Sequence, residues 1–274
     1  MGDQFGARRL LAVLCAAVGL VALAGPASSS VDSAGSPRIV GGQRASTGTY
    51  PFAVYLTTAD GFQFCGGTLA AQNKVITAAH CAKGQDPRDF FVVAGRDDKK
   101  NTGQGVSVPV KRIWVHPGYT DALAGHDVAV LTLGQRITQY HPIPFAGPGD
   151  ESAYAAGTVA TILGWGRTSS GGPTSQYLLK AEVPVVGDQD CARSLAKHNP
   201  SWMVCAGYPE GRIDGCQGDS GGPMIADGKL IGISSWGDGC GLPDKPGVYT
   251  RVISYYPELA QQIPRPPPGR TLVG

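Results

Sequence analysis

Gly215-Cys216-Gln217-Gly218-Asp219-Ser220-Gly221-Gly222-Pro223 is the stretch on which the reading of the whole chain turns. Glycines crowd both sides of a single Ser. Glycine is needed where backbone takes positive φ or approaches another group closely. The pattern therefore fits a hydroxyl carried on a tight turn, with bare backbone N–H groups around it. The N–H groups of Gly218 and Ser220 could then hold a carbonyl oxygen that becomes negative during acyl transfer. By itself a glycine-rich turn with a Ser is an ordinary turn, and its meaning depends on what accompanies it.

A serine hydroxyl is a weak nucleophile at neutral pH and needs a base that is itself oriented by a third group. The chain has five His, at positions 80, 116, 126, 141 and 198. His80 lies in Thr77-Ala78-Ala79-His80-Cys81, directly after the apolar pair Val75-Ile76. Asp127 lies in His126-Asp127-Val128-Ala129-Val130-Leu131 and opens a strand-like segment. The other four His carry no motif, and His126, beside the Asp, reads as solvent-facing.

In this order, Thr-Ala-Ala-His-Cys, His-Asp-Val-Ala-Val-Leu and Gly-Asp-Ser-Gly-Gly-Pro resemble the chymotrypsin/trypsin family of serine proteases. The resemblance runs from about Ile39 to Ile263 and is closest in character to secreted bacterial trypsins. It implies an all-β fold of two six-stranded antiparallel barrels with a C-terminal helix, split near residues 142–150. The site would lie in the cleft between them. Ser220 would attack the scissile carbonyl, His80 would take its proton, and Asp127 would orient His80. The N–H groups of Gly218 and Ser220 would form the oxyanion hole.

The resemblance also implies a substrate pocket formed by Asp214, Gly215, Ser235, Trp236, Gly237 and Gly247. Ser235 matches the position that hydrogen-bonds the buried Asp. Asp214, six residues before Ser220, matches the pocket floor of enzymes that cut after Arg or Lys. A buried carboxylate is costly unless paired, so such a pocket demands a cation. Gly237 and Gly247 match walls that leave room for a long side chain. Gly215 departs from the hydroxyl residue often found there. Lys, a compact ammonium, relies on extra oxygens, whereas Arg forks directly onto a carboxylate. Arg is therefore expected over Lys.

Composition agrees with this reading. The chain has 274 residues with 40 Gly, 21 Pro and only 16% charged residues, which suits many short strands and turns. Its formal charge is +2, and residues 1–38 hold Arg8, Arg9 and Arg38 against Asp3 and Asp32, so the rest carries +1. That balance supports neither a nucleic-acid nor a membrane partner. The expected partners are protein and peptide substrates with Arg or Lys before the cut bond, and protein protease inhibitors. Nothing calls for an oligomer, so a monomer is expected.

Arg8-Arg9, the apolar Leu10 to Leu23 and Ala22-Leu23-Ala24 read as an export signal over residues 1–24, hence secretion to the extracellular space. Cys15 falls within it. Cys65, Cys81, Cys191, Cys205, Cys216 and Cys240 remain, and six Cys in a secreted chain imply three disulfides among 15 pairings. The resemblance implies 65–81, 191–205 and 216–240. No zinc-type spacing appears, and neither metal nor cofactor is expected.

Residues 25–38 are small, polar and pattern-free, and they end in Arg38 before Ile39-Val40-Gly41-Gly42. In this family such a strip is an activation propeptide. A cut after Arg38 frees an Ile39 amine that would bury itself against Asp219. Strand-like runs alternate with turns from Phe52 to Val252, with no repeat. Val252, Tyr256, Leu259 and Ile263 fall at helical spacing, with Pro257 at the first turn. Residues 39–264 are expected to form the protease domain and 265–274 a flexible tail.

Two further departures stand out. Leu195 replaces a Tyr often found after Cys191, which bears on support of the pocket. Asp97-Asp98-Lys99-Lys100 lacks an acidic calcium pattern and reads as a solvated charge run. The rival readings are a catalytically dead homologue, chymotrypsin or elastase specificity, and a cascade protease. The intact Ser-His-Asp set, Asp214 and the short loops, respectively, argue against each.

Overall fold

The computed structural model describes residues 39–264. The export signal at 1–24, the strip at 25–38 with Arg38, and the tail at 265–274 lie outside the described residues. A two-residue strand, β1 (Gln43–Arg44), comes first. The first barrel then takes β2 (Ala53–Thr58), β3 (Gln63–Ala71), β4 (Lys74–Thr77), β5 (Phe90–Ala94), β6 (Val106–Val115) and β7 (Ala129–Leu133). They close in the order β2-β3-β4-β7-β6-β5, every pair antiparallel.

Strand β6 shows why the sequence folds this way. Val108 and Val110 are buried while Ser107, Pro109 and Lys111 face out, the alternation of a strand with one wet face. The pattern breaks where Lys111 and Arg112 follow one another, and there the register with β7 shifts between Val110 and Arg112. Strand β7 is buried on both faces: the consecutive Val130 and Leu131, which point to opposite sides of the sheet, are each 1% exposed or less. Burial of such a side chain contributes about 1.5–3 kcal/mol.

The second barrel takes β8 (Val159–Gly164), β9 (Leu179–Val186), β10 (Met203–Ala206), β11 (Pro223–Ala226), β12 (Lys229–Trp236) and β13 (Gly247–Arg251). Its order is β9-β10-β13-β12-β11-β8, closed by β8 on β9, with β1 added to β9. The chain passes from the first barrel to the second between β7 and β8, and on the way Phe145 bridges Leu230 of β12. Three helices are short. They are α1 (Ala79–Ala82), α2 (Asp188–Ser194) and α3 (Tyr256–Gln262). The last follows a 3-10 turn over Val252–Tyr255, so the predicted C-terminal helix starts one turn late, with Val252, Leu259 and Ile263 buried.

Strands β1, β10 and β11 have no counterpart in the sequence reading. They span two to four residues, too few for a period-2 pattern to show. The stretch Asp97–Lys99 corrects a sequence expectation: it is a partly buried seam between the barrels, and only Lys100 of the run is exposed. Asp97 accepts hydrogen bonds from the Thr47 N–H, the Thr47 hydroxyl and the Ser46 hydroxyl. The Asp97 carbonyl accepts from Leu178 N–H and from the Trp165 indole. Asp98 accepts from the Gln176 amide, and Lys99 is half-buried.

Candidate active site

His80 sits on the single turn α1, directly after β4 has run out at Thr77. Ala78 and Ala79 are fully buried there, and only small side chains let the turn pack so close to the barrel. The Cys65–Cys81 disulfide ties the same turn to β3. Asp127, 1% exposed, lies two residues before β7. One of its carboxylate oxygens accepts the His80 backbone N–H at 2.9 Å. The other lies 2.8 Å from His80 Nδ1 and accepts the Ser235 hydroxyl at 2.6 Å. Thr250 donates to the Asp127 carbonyl at 2.7 Å. An ionised carboxylate only accepts, so Nδ1 carries the imidazole proton and Nε2 of the neutral ring keeps a lone pair. The His80 side chain is 27% exposed, which leaves that nitrogen reachable.

Ser220, half-buried, is brought to the same place by backbone. The Gly66 N–H donates to the Ser220 carbonyl at 2.7 Å, and Gly66 is the residue after Cys65. Gly221, at φ +79°, must be glycine: a Cβ there would lie 2.2 Å from Thr77 Oγ1 and 2.7 Å from the Gly66 carbonyl oxygen. Among the described residues no acceptor takes the N–H of Gly218 or of Ser220. Two unpaired donors beside a serine hydroxyl suit a developing oxyanion.

Asp219, next to Ser220, lies buried, its carboxylate accepting the Gly166 N–H at 2.7 Å and the Cys216 N–H at 3.0 Å. Burial pushes its carboxyl up to about 6, against the pull of those two N–H groups and of Lys99. The space it fills exists only because positions 164 and 166 lack side chains. A Cβ on Gly164 would meet its Oδ1 at 2.0 Å, and one on Gly166 its Cγ at 2.5 Å. Ile39 is also buried, and the next residue, Val40, bridges to Asp214.

A cavity of about 120 Å³ opens beside Ser220. Asp214, Gly215, Ser235, Trp236, Gly237 and Gly247 all line it, as does the Cys216–Cys240 disulfide. Asp214 is 5% exposed and accepts the Gly241 N–H at 3.0 Å. Burial pushes its carboxyl up to about 7, with N–H donors from Gly241 and Gly215 opposing. A Cβ on Gly247 would sit 2.7 Å from Asp214 Oδ1, so that wall must stay bare for the carboxylate to keep its place. The Cys191–Cys205 disulfide lies behind, packed with Leu195, Met203 and Val248. Leu195, where the sequence comparison expects a Tyr, is thus core.

His126, which the sequence reads as solvent-facing, is half-buried. It takes φ 55°, a left-handed conformation His tolerates better than most residues, and its ring stacks on His116 at 4.7 Å and lies 4.4 Å from Trp202. Its N–H donates to the Tyr255 hydroxyl at 3.1 Å. The sulfurs of Cys65 and Cys81 and a ring nitrogen of His80 lie within 4.8 Å of one another, but the two sulfurs are bonded to each other. The thiolate, not the disulfide, is the metal ligand.

Comparisons with known proteins agree with this geometry. The family model described as Trypsin matches residues 39–258. A trypsin of Saccharopolyspora erythraea is 53% identical over 225 residues, 82% of this chain and 98% of that one. Human serine protease 56 is 38% identical over 235 residues, and its mouse counterpart 38% over 242. Of those two longer proteins the chain spans only 39% and 40%. With a double antiparallel barrel, a family match over 220 of its residues and a half-identical trypsin matched almost end to end, the chain belongs to the trypsin family of serine proteases and is a trypsin-like serine endopeptidase.

Proposed function

We propose that the protein is a secreted endopeptidase that cuts after Arg, and less readily after Lys, and that it is activated by cleavage after Arg38. The observation that carries this reading is Asp214: a buried carboxylate in the floor of a cavity whose rim holds Ser220. A charge withdrawn from water and paired with no cation in its own fold favours a ligand that brings one.

In this mechanism the guanidinium of the substrate pairs with Asp214 and presents the next carbonyl to Ser220. Ser220 Oγ attacks that carbon as His80 Nε2 takes the hydroxyl proton, and Asp127 stabilises the imidazolium. The oxyanion is held by the N–H groups of Gly218 and Ser220. His80 then gives its proton to the leaving amine, the C–N bond breaks, and an acyl-Ser220 ester remains. Water repeats the sequence, with His80 as base, and releases the acid.

The Arg preference rests on Gly215. Position 215 has room for a larger residue, since a Cβ there would meet nothing nearer than the Tyr249 hydroxyl at 3.8 Å. Peptide amides that differ only in Arg or Lys before the bond are expected to show kcat/KM about 10-fold higher for Arg, one extra hydrogen bond to charge being worth about 1.5–3 kcal/mol. Gly215→Ser is expected to narrow that gap by speeding Lys. Equal turnover in the parent enzyme would remove the preference.

Activation rests on the buried Ile39 and on Asp219, which has two N–H donors in contact and, among the described residues, no cation in contact. A freed Ile39 ammonium would supply that contact and order the loop that carries Gly218, an order–disorder switch. Its pairing raises the amine above its free value of about 8. The stabilisation is then full below that value and lost as pH rises through the higher folded value. An Arg38→Gln chain is expected to stay inactive when exposed to trypsin, while the parent gains activity with Ile39 as its new first residue. Full activity of the Arg38→Gln chain would overturn the scheme.

A further inference from the structure

Lys99 is the least expected side chain of this molecule. It belongs to a run that reads as solvated, yet burial pulls its ammonium down to about 8 even though Asp219 pulls the other way. Among the described residues no carboxylate lies within ion-pair distance of it. Instead Nζ has three neutral acceptors for its three protons: Gln63 Oε1 at 2.9 Å, Thr174 Oγ1 at 3.2 Å and the Trp165 carbonyl at 3.4 Å. A desolvated cation with only neutral partners is expensive. Two of those partners lead straight to the nucleophile loop.

The first path runs through Gln63, a buried residue at the start of β3. Lys is only a donor, so it dictates which end of the Gln63 amide faces it: Oε1 turns to Lys99 and Nε2 must turn away. Nε2 then donates to the Gly218 carbonyl at 2.8 Å. Gly218 stands at φ +96°, a conformation with no side chain to hold it, and its N–H is one of the two donors assigned to the oxyanion. The second path runs through one peptide unit. The Trp165 carbonyl accepts from Lys99, while the N–H of the same peptide, on Gly166, donates to Asp219 Oδ1 at 2.7 Å. Polarised chains of this kind strengthen each link. Lys99 thus reaches both residues that precede Ser220.

We propose that Lys99 and Gln63 are positioning residues for the oxyanion loop: Lys99 sets the Gln63 amide so that it clamps the Gly218 carbonyl and keeps the Gly218 N–H aimed at the substrate. The proposal rests on the oxyanion role given to Gly218 above. It asks for a contribution in the transition state and none in the cation pocket, because neither residue lines the cavity over Asp214.

Lys99→Met removes the charge and keeps the stem. Gln63→Glu keeps the Lys99 contact and sets an acceptor against the Gly218 carbonyl. Both variants are expected to lower kcat on an Arg-peptide amide by about 10-fold with KM within about 2-fold; loss of an oxyanion donor outright costs about 10²–10³. Lys99→Arg, which still donates, is expected to restore most of kcat. Two inhibitors separate the causes. A peptide arginal forms a hemiacetal whose oxygen occupies the oxyanion hole, and it should bind about 10-fold more weakly to both variants. Benzamidine, which needs only the cation pocket, should bind unchanged.

Unchanged arginal affinity in both variants would overturn the clamp while leaving Gly218 in its role. Equal losses for arginal and benzamidine would reduce the pair to general support of the fold and overturn the proposal as well. If the parent enzyme neither turns over the amide nor binds the arginal, the failure lies with the Gly218 assignment itself.

Discussion

Asp127→Asn is expected to lower kcat about 10⁴-fold on an Arg-peptide amide, with little change in the affinity for benzamidine. The hydrogen bonds of Asp127 say why an isosteric change does so much. Its two oxygens accept three bonds, from the His80 N–H, the His80 ring and the Ser235 hydroxyl. An amide has only one acceptor end. If its oxygen faces the His80 N–H, its NH₂ donates to Nδ1, and the imidazole proton moves to Nε2, facing Ser220. The base is then gone. If the amide turns over, its NH₂ meets the His80 N–H head-on and the turn that carries His80 must shift. Neither arrangement serves, whereas the pocket over Asp214 is untouched. A loss under about tenfold would mean that His80 does not depend on Asp127 for its tautomer.

Asp214→Ser is expected to cut kcat/KM for Arg substrates about 30- to 5,000-fold, the cost of leaving a desolvated charge without its partner. Here the bound guanidinium loses its counter-ion, while the side chains of Ser220, His80 and Asp127 are unchanged. Labelling of Ser220 by a small sulfonyl fluoride should therefore persist at nearly the parent rate. Turnover that shifts to Lys or Phe without loss for Arg would remove Asp214 from the pocket role. The same carboxyl gives a pH signature. Burial holds it near 7, so the protein with an empty pocket favours the protonated form. What that group contributes to stability is greatest below its ordinary value and lost as pH rises through about 7. A bound cation reverses the preference and drives the proton off. Benzamidine binding should accordingly weaken about tenfold per pH unit below about 7 and level off above it. Asp214→Ser should abolish that dependence.

Much of this molecule is legible from its residues taken in order. Val108 and Val110 alternate with outward-facing neighbours, and Leu179 to Val185 alternate in the same way. Local periodicity carries such elements because each reports a face buried over five or more residues. The residues proposed for the triad and the pocket stand in short motifs, in which a glycine or a small residue stands wherever backbone must come close. Gly221 under Thr77 and Gly247 beside Asp214 are instances. Strands of two to four residues, β1, β10 and β11, left no pattern to read. They are strands only because a neighbour supplies the hydrogen-bonded edge.

The sequence by itself determined the barrels' longer strands, the six cysteines available for pairing, and the residue types that stand at 80, 127, 214 and 220. Only the tertiary structure decided which charges are withdrawn from water. Asp97-Asp98-Lys99-Lys100 reads as a solvated run because nothing local tells a surface loop from a seam. Trp165, Thr174 and Gln63, at positions 36 to 75 residues away from Lys99, turn it into a desolvated cation. His126 reads as solvent-facing until His116, Trp202 and Tyr255 arrive from three other segments. The reason is the same in both cases. Burial and pairing are properties of what packs against a side chain from a distance in the chain, and no window of neighbouring residues contains them.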